Sequence, residues 1–460
     1  MTKKVEIDSR NVQKGDIFVA IPCSNFDRNV EEAIRNGASI IVSENNSIGD
    51  LHTTDARLIA SKLAAFCYNG NNEQRINNCV AVTGTNGKSS VVHFLGEIWK
   101  HNNINSACLG TNGMYINGIK NNTSTNLTTP DCVTLHKIIS SLSREHNIEY
   151  FAFEASSHAL AQKRLHSVSL KVAAFTNLGS DHLDYHETKE EYFLAKQKIF
   201  TEIGADYSVF SKDDPYVFNT LFSLSHKNIT TFGYSSFNDI YPINIQNLNN
   251  MDLFDLNIKG EIYKNIFIKM FGKFQILNVL CACSIALSLG LKISDVVNVL
   301  DKLTPLEGRM EHVTSYNGAD IYVDYAHTIE GFRNLLLTVK YICRGRLITV
   351  FGCGGDRDKS KRSVFGEIAG EIANINIITD DNPRSEDPGY IRKEIIKNCK
   401  NVEEIADRKE AIKHAISLLE NGDIMVVIGK GHETTQIYKK KILSHNDKEF
   451  VLDSIPNSTG

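Results

Sequence analysis

Short apolar runs rich in β-branched and aromatic residues recur along this chain, and each ends abruptly in a polar cluster. They are Cys79–Thr83, Tyr150–Phe153, Val172–Phe175, Ile321–Val323, Leu347–Phe351, Ile375–Ile378 and Ile424–Ile428. Runs with no polar alternation are the pattern of strands buried on both faces, and helical periodicity lies between many of them, which predicts βαβ units and mostly parallel sheets. The fold class is therefore α/β. The clusters past the strand ends are Glu154–His158, Asn177–His186, Asp324–His327, Gly352–Arg357, Asp380–Arg384 and Gly429–Glu433. Ligands of open α/β sheets bind at that edge, so the recurrence carries more weight than any single cluster.

With 460 residues the chain is long enough for about two to four domains. Asn-rich patches at 69–78 and 244–250 read as polar linkers or loops, and a helical segment ends near Thr304-Pro305. The expected boundaries are 1–77, 78–305 and 306–460. The balance of 50 Lys+Arg against 54 Asp+Glu leaves no basic field to hold a polyanion, so nucleic acid is not an expected partner. The 10 Cys are scattered without a CxxC pair, which suits a reducing cytoplasm. No signal-peptide h-region opens the sequence, and the run Val279–Leu291, interrupted by Ser284 and Ser288, is too short to cross a membrane and reads as a buried helix.

Gly84-Thr85-Asn86-Gly87-Lys88-Ser89 follows a strand and opens a helix from Ser89 to His101. Backbone N–H groups of such a loop, with the helix N-terminus behind them, cradle phosphate; Lys88 would hold the β/γ-phosphates and Ser89 a Mg²⁺. The first glycine of the general P-loop pattern falls on Val82, and a plain Gly turn ahead of a helix is the competing reading. Glu154 and His182 are candidate Mg²⁺ ligands or solvated loop residues, with the carboxylate favoured beside a nucleotide. In Asp380-Asp381-Asn382-Pro383-Arg384 the acids suit an ammonium and the Arg384 fork a carboxylate, so the loop fits a zwitterion; a proline turn with a surface ion pair fits as well.

Together these residues resemble the Mur ligase family. The likeness is carried by T-G-T-N-G-K-S at 83–89, Thr128-Thr129-Pro130, E-A-S-S-H-A-L at 154–160, F-T-N-L-G-S-D-H-L-D-Y-H at 175–186, Ala195-Lys196, G-R-M-E at 308–311, D-Y-A-H at 324–327, D-N-P-R at 381–384 and G-K-G-H-E at 429–433. The resemblance implies three domains: an N-terminal one for the UDP end of the acceptor, a central P-loop ATPase on a parallel sheet, and a Rossmann-like C-terminal one that brings an amino acid. It implies a cytoplasmic bacterial enzyme, expected to be monomeric, that uses ATP and Mg²⁺ in peptidoglycan synthesis. A carboxylate of UDP-N-acetylmuramoyl-L-alanyl-D-glutamate would be phosphorylated, and the amine of meso-diaminopimelate would displace the phosphate to give an amide.

Residue by residue, the resemblance puts Lys88, Glu154, His182 and a carbamylated Lys196 in catalysis, with Ser89, Glu154, His182 and Lys196 at the metal. ATP falls to Gly84, Thr85, Asn86, Gly87, Lys88, Ser89, Ser90, Asn278, Arg309, Asp324 and His327. The UDP-muramoyl dipeptide falls to Ile7, Ser9, Ser24, Asn25, Phe26, Thr128, Thr129, Ser156, Gln162 and Arg164, and diaminopimelate to Arg357, Asp381, Asn382, Pro383, Arg384, Gly429 and Glu433. The N-terminal region is shorter than usual in the family, and Pro22–Asp27 stands in place of its Gly-containing loop. Alternatives are a lysine-adding or folylpolyglutamate-synthase-like ligase, against which H-A-L-A-Q-K-R at 158–164 and D-N-P-R speak, and a nucleotide-binding protein without turnover.

Overall fold

The computed structural model describes residues 4–69, 76–121, 127–224, 228–248 and 250–455. The strand Asn78–Thr83 lies inside an eight-stranded sheet, ordered 229–231, 205–210, 170–175, 78–83, 150–154, 106–110, 113–116, 119–121. The first six strands are parallel, and the last two add an antiparallel edge. Register pairs Phe175 with Thr83 and Val82 with Glu154, so three strands deliver their polar clusters to one edge.

Because both faces of this sheet are covered, its strands can be apolar throughout. One face packs on the helices Lys88–His101 and Lys273–Ser288 through Phe94, Leu95, Trp99, Val279 and Leu280. The other packs on Cys132–His146 and Lys189–Lys198 through Leu135, Leu142 and Phe193. The helix Lys273–Ser288 is the buried helix expected over 279–291, displaced toward the N-terminus because Gly290 takes φ +90° just past its end.

A second sheet of six strands runs 311–316, 319–324, 424–428, 347–351, 375–378, 402–404, parallel except for its first, edge strand. Asp324, Phe351 and Ile378 align with Ile428 or with its neighbour, and the loops beyond them face the P-loop edge of the larger sheet. Near the N-terminus a four-stranded parallel sheet, 5–6, 17–20, 40–43 and 51–52, is covered by the helix Ala56–Asn69. That helix seats Ala60 and Ala64 against Cys132 and Val133 of the central unit.

The first half of the Asn-rich patch at 244–250 is neither linker nor loop. Residues 244–247 belong to the strand Ile240–Asn247, the first of an antiparallel three-stranded sheet with Asp252–Ile258 and Glu261–Ile268, while Leu248 and Asn250 lie in the turn to the next strand. Asn244, at φ +54°, sits where the register shifts between Ile243 and Gln246, a backbone state that Asn tolerates better than most residues. Most of the patch at 69–78 lies outside the described residues. Among the described residues no helix is long and apolar enough to cross a membrane, and all ten cysteines are free.

Candidate active site

Gly87 takes φ +89° at the head of the helix Lys88–His101, and a Cβ there would stand 2.2 Å from Asn278 Oδ1. Glycine lets the loop turn and the Asn278 amide approach it. The neighbouring strand's end braces the loop from below. Thr85 N donates to the Asn177 carbonyl at 2.9 Å, Asn86 N to Asn177 Oδ1 at 3.0 Å, and Thr176 Oγ1 to the Asn86 carbonyl at 2.6 Å. Lys88 Nζ folds back onto the Gly84 and Thr85 carbonyls, 3.0 and 2.9 Å away. Burial lowers its pKa, against the pull of Glu154 and Asp181.

Glu154 closes its strand as a buried carboxylate. Thr111, at the next strand's end, donates its N–H to Oε1 at 2.7 Å and its hydroxyl to Oε2 at 3.3 Å. Gly110 makes room for this, since a Cβ there would lie 2.0 Å from Glu154 Oε1. Ser89, Glu154, His182 and Lys196 all line one cleft of about 1410 Å³. Lys196 is also buried, with Nζ 2.8 Å from the Gly84 carbonyl and 4.3 Å from the centre of the Tyr192 ring. Burial, reinforced by the like charge of Lys88, pushes its pKa well down.

His182 stands 3.3 Å from Asp181, and His327 reaches the same carboxylate across the two large sheets at 3.5 Å. Burial pushes the His182 imidazole down to about 3 despite Asp181, so it is neutral and free to act as a ligand near pH 7. Burial alone would raise the Asp181 carboxyl, but His327, His182 and Lys361 hold it well below the usual range. Asp181 and Thr111 are the central residues that reading the sequence missed. Asp181 stands beside His182 in a motif already quoted, whereas Thr111 had no signal of its own.

The acceptor set divides. Thr128 and Ser156 line the cleft. Thr129 is buried, donates its hydroxyl to the Glu154 carbonyl at 2.7 Å and accepts from Ser156 N at 3.0 Å. Arg164 donates to the Thr129 carbonyl at 2.7 Å and to Gln162 Oε1 at 2.7 Å, so these five residues form one connected patch with Thr111, whose hydroxyl meets Thr128 at 3.1 Å. Ile7, Ser9, Ser24, Asn25 and Phe26 lie in the N-terminal unit, past the ends of its strands Val5–Glu6 and Ile17–Ala20, with Phe26 opening the helix Phe26–Arg35, and they do not line the cleft. Ser9 is buried and gives its hydroxyl to Glu32 at 2.6 Å.

From the six-stranded sheet, Arg357, Asp381, Asn382, Arg384, Gly429 and Glu433 reach the same cleft. Pro383 is buried beneath it. Arg384 is half-buried, at φ +52°, with Nη1 on the Gly355 carbonyl at 2.7 Å. Its two loops are tied together by buried Arg362, which meets Glu386 at 2.9 Å and Glu394 at 2.6 Å, while Glu386 also accepts from Asp356 N. Arg362 lowers the Glu386 carboxyl to about 2 against its burial. That stabilisation is complete above the unfolded value of 4.5 and is lost as pH falls toward 2. Glu386→Gln is therefore expected to flatten the acid side of the melting-temperature profile between those limits; an unchanged slope in thermal melts would refute it.

Asn278, Arg309 and Asp324 line a second cleft, of about 1090 Å³, that shares Asn86, Gly87, Arg309 and Ala326 with the first. Arg309 stacks 4.4 Å from the Tyr325 ring centre and points Nη2 at Ser89 Oγ, 3.4 Å away. Asp324 accepts from Met310 N and Ala326 N, both at 2.6 Å, fixing the turn that carries Arg309 and His327. Gly84 lies under the loop against Lys88 and Lys196, while Thr85, Asn86 and Ser90 face one cleft or the other.

Family models of the Mur ligase middle domain and of the Mur ligase, glutamate ligase domain match residues 82–286 and 308–431. The chain is 38% identical to the UDP-N-acetylmuramoyl-L-alanyl-D-glutamate--2,6-diaminopimelate ligase of Agrobacterium fabrum, over 99% of this chain and 94% of that one. It is 38% identical to the enzyme of the same name from Anaplasma marginale, with 97% and 94% covered. A solved structure bearing that name matches with TM-score 0.70 at 29% identity, over 98% of this chain and 94% of the other. The MurF ligase of Thermotoga maritima in complex with ADP shares the fold, with TM-score 0.66 at 18% identity over 98% and 97%. Identity this high along nearly the whole length, over a P-loop edge faced by a second sheet's loops, means that the chain belongs to the Mur ligase family.

Proposed function

We propose that this chain is the ATP-dependent ligase that joins meso-diaminopimelate to the γ-carboxylate of the D-glutamyl residue of UDP-N-acetylmuramoyl-L-alanyl-D-glutamate. The observation that carries this reading is one cleft in which a P-loop lysine and a buried carboxylate face a half-buried arginine and a second carboxylate, Lys88 and Glu154 opposite Arg384 and Glu433. A phosphoryl-transfer site and an amino-acid site sharing one cleft is what an acyl-phosphate ligase needs.

In this reading the nucleoside lies in the second cleft beside Asn278 and Asp324, and the phosphates lie over Gly84–Ser90. Lys88 and Arg309 supply positive charge where it develops on the transferred phosphoryl group. The acceptor carboxylate, held by Thr128, Ser156 and the patch behind them, attacks the γ-phosphorus and ADP leaves. The amine of diaminopimelate, having shed a proton, then attacks the acyl carbon and phosphate departs with the C–O bond's electrons. Arg384 and Glu433 hold the distal carboxylate and ammonium; lysine, lacking that carboxylate, would leave Arg384 without its anion. The three mainly parallel sheets, of four, eight and six strands, suggest three domains for the three substrates, divided near 77 and 305, with the N-terminal unit meeting the UDP end.

Mg²⁺ fits the donors present. Among the described residues no group of three or more His, Cys, Asp or Glu is arranged to hold a metal unaided. A single buried carboxylate beside a helix-N-terminal serine suits an ion that takes most of its ligands from phosphate and water. Ser89 and Glu154 would hold one ion, His182 and carbamylated Lys196 a second, and the ions would neutralise phosphate charge as it shifts. The deciding experiment is mass spectrometry of the product formed with ATP, Mg²⁺ and the UDP-muramoyl dipeptide, offering diaminopimelate and L-lysine separately. Product with diaminopimelate alone is expected. Product with lysine alone would overturn the role given to Arg384, and none with either would overturn the ligase reading.

A further inference from the structure

The loop Gly429–Glu433 carries a lysine that the mechanism above leaves unused. Lys430 is completely buried, and its ammonium donates to Asn382 Oδ1 at 3.0 Å, to Glu433 Oε2 at 2.8 Å and to the Thr435 carbonyl at 2.8 Å. All three of its protons are therefore committed. Asn382 Oδ1 also accepts from Ile437 N at 2.9 Å, which turns the amide so that Nδ2 donates to Glu433 Oε2 at 2.8 Å. One oxygen of Glu433 thus receives two hydrogen bonds from below, and the carboxylate is held at the cleft wall with its other oxygen left for a ligand.

A buried ammonium needs a counter-charge, and Glu433 supplies it at contact distance. The pair is electrically neutral. Glu433 can accept from a ligand ammonium, yet it does not add a net negative charge to a cleft that also presents Arg357 and Arg384. Zwitterionic diaminopimelate carries no net charge, whereas lysine carries one positive charge, so the two differ in how they respond to the charge behind Glu433.

Resting on the function proposed above, we propose that Lys430 is a positioning and specificity-determining residue. Its ammonium fixes Asn382 and Glu433 for the distal end of diaminopimelate, and it cancels the negative charge that would otherwise favour a net-cationic amino acid. Removing a unit charge several ångströms from the ligand, in a partly screened site, shifts relative affinity by about tenfold.

The test is Lys430→Met, a substitution of similar length, with kcat and KM measured for diaminopimelate and for L-lysine by product mass spectrometry. The expected result is a rise in KM for diaminopimelate, unchanged KM for ATP and for the muramoyl dipeptide, and about a tenfold fall in the diaminopimelate-to-lysine ratio of kcat/KM. Parallel losses with both amino acids, or a KM for ATP that rises alongside, would reduce Lys430 to a structural role and overturn the proposal. Where Lys430→Met does not fold, Glu433→Gln leaves the cation uncompensated and should move the ratio the other way, further against lysine; an unmoved ratio overturns the proposal. Wild-type enzyme that ligates neither amino acid overturns the functional reading and this proposal with it, whereas a normal wild type with parallel losses overturns this proposal alone.

Discussion

Lys88→Ala is expected to lower the rate of ligation by about a thousandfold or more, the order seen when a preorganised donor to a transferring group is removed. The ammonium sits at the head of the helix Lys88–His101, held over the loop by two carbonyls, and it is half-buried, desolvated enough that its charge is strongly felt. Burial costs the free enzyme stability, which nucleotide phosphates offset when they supply the missing anions. The variant should therefore melt no lower than wild type in the absence of nucleotide. The amino-acid loops do not depend on Lys88, so the affinity for diaminopimelate should change by no more than about threefold, within what separated sites allow. ADP release in a coupled assay, with binding of the amino acid measured by calorimetry, separates these effects. Turnover near the wild-type rate would remove Lys88 from the nucleotide site.

What the sequence disclosed, and what it hid, follows from where each signal comes from. Strands such as Asn78–Thr83 and Ile424–Ile428 are legible because burial on both faces demands an unbroken apolar run, and the residues just past them are legible because such edges bind ligands. The antiparallel strand Ile240–Asn247 is not, since it is half exposed and its bulge at Asn244 looks like a turn. Lys430 carries no warning either. Lysine in a Gly-Lys-Gly run reads as a solvated loop, and only the hairpin Thr435–Ser444 folding over it, with Thr435 accepting its third proton, makes it a core residue. Ser9 shows the converse. A hydroxyl placed by likeness at the UDP end is spent on Glu32, a partner 23 residues away that no motif names.

Lys196→Ala is expected to be nearly as damaging as Lys88→Ala, also about a thousandfold in rate, and for a reason that can be separated from it. An unmodified lysine is a poor neighbour here: its ammonium would stand in a buried wall beside Lys88, and burial with that like charge drives it toward the neutral amine. A neutral amine is the form that adds carbon dioxide, giving a carbamate and releasing a proton. The product is an anion, which relieves the repulsion from Lys88 and offers oxygen to a cation. Three results are expected together. Wild-type activity should fall in buffers stripped of carbon dioxide and recover on adding bicarbonate. NMR with isotopically labelled carbon dioxide should show a carbamate signal in wild type that Lys196→Ala lacks. Acetate or formate should restore part of the variant's activity, because a small carboxylate can occupy the space the side chain leaves. Full activity in Lys196→Ala, or wild-type activity indifferent to carbon dioxide and without the carbamate signal, would leave Lys196 as a buried amine bonded to Gly84 and would return its part in metal binding to His182 and Glu154.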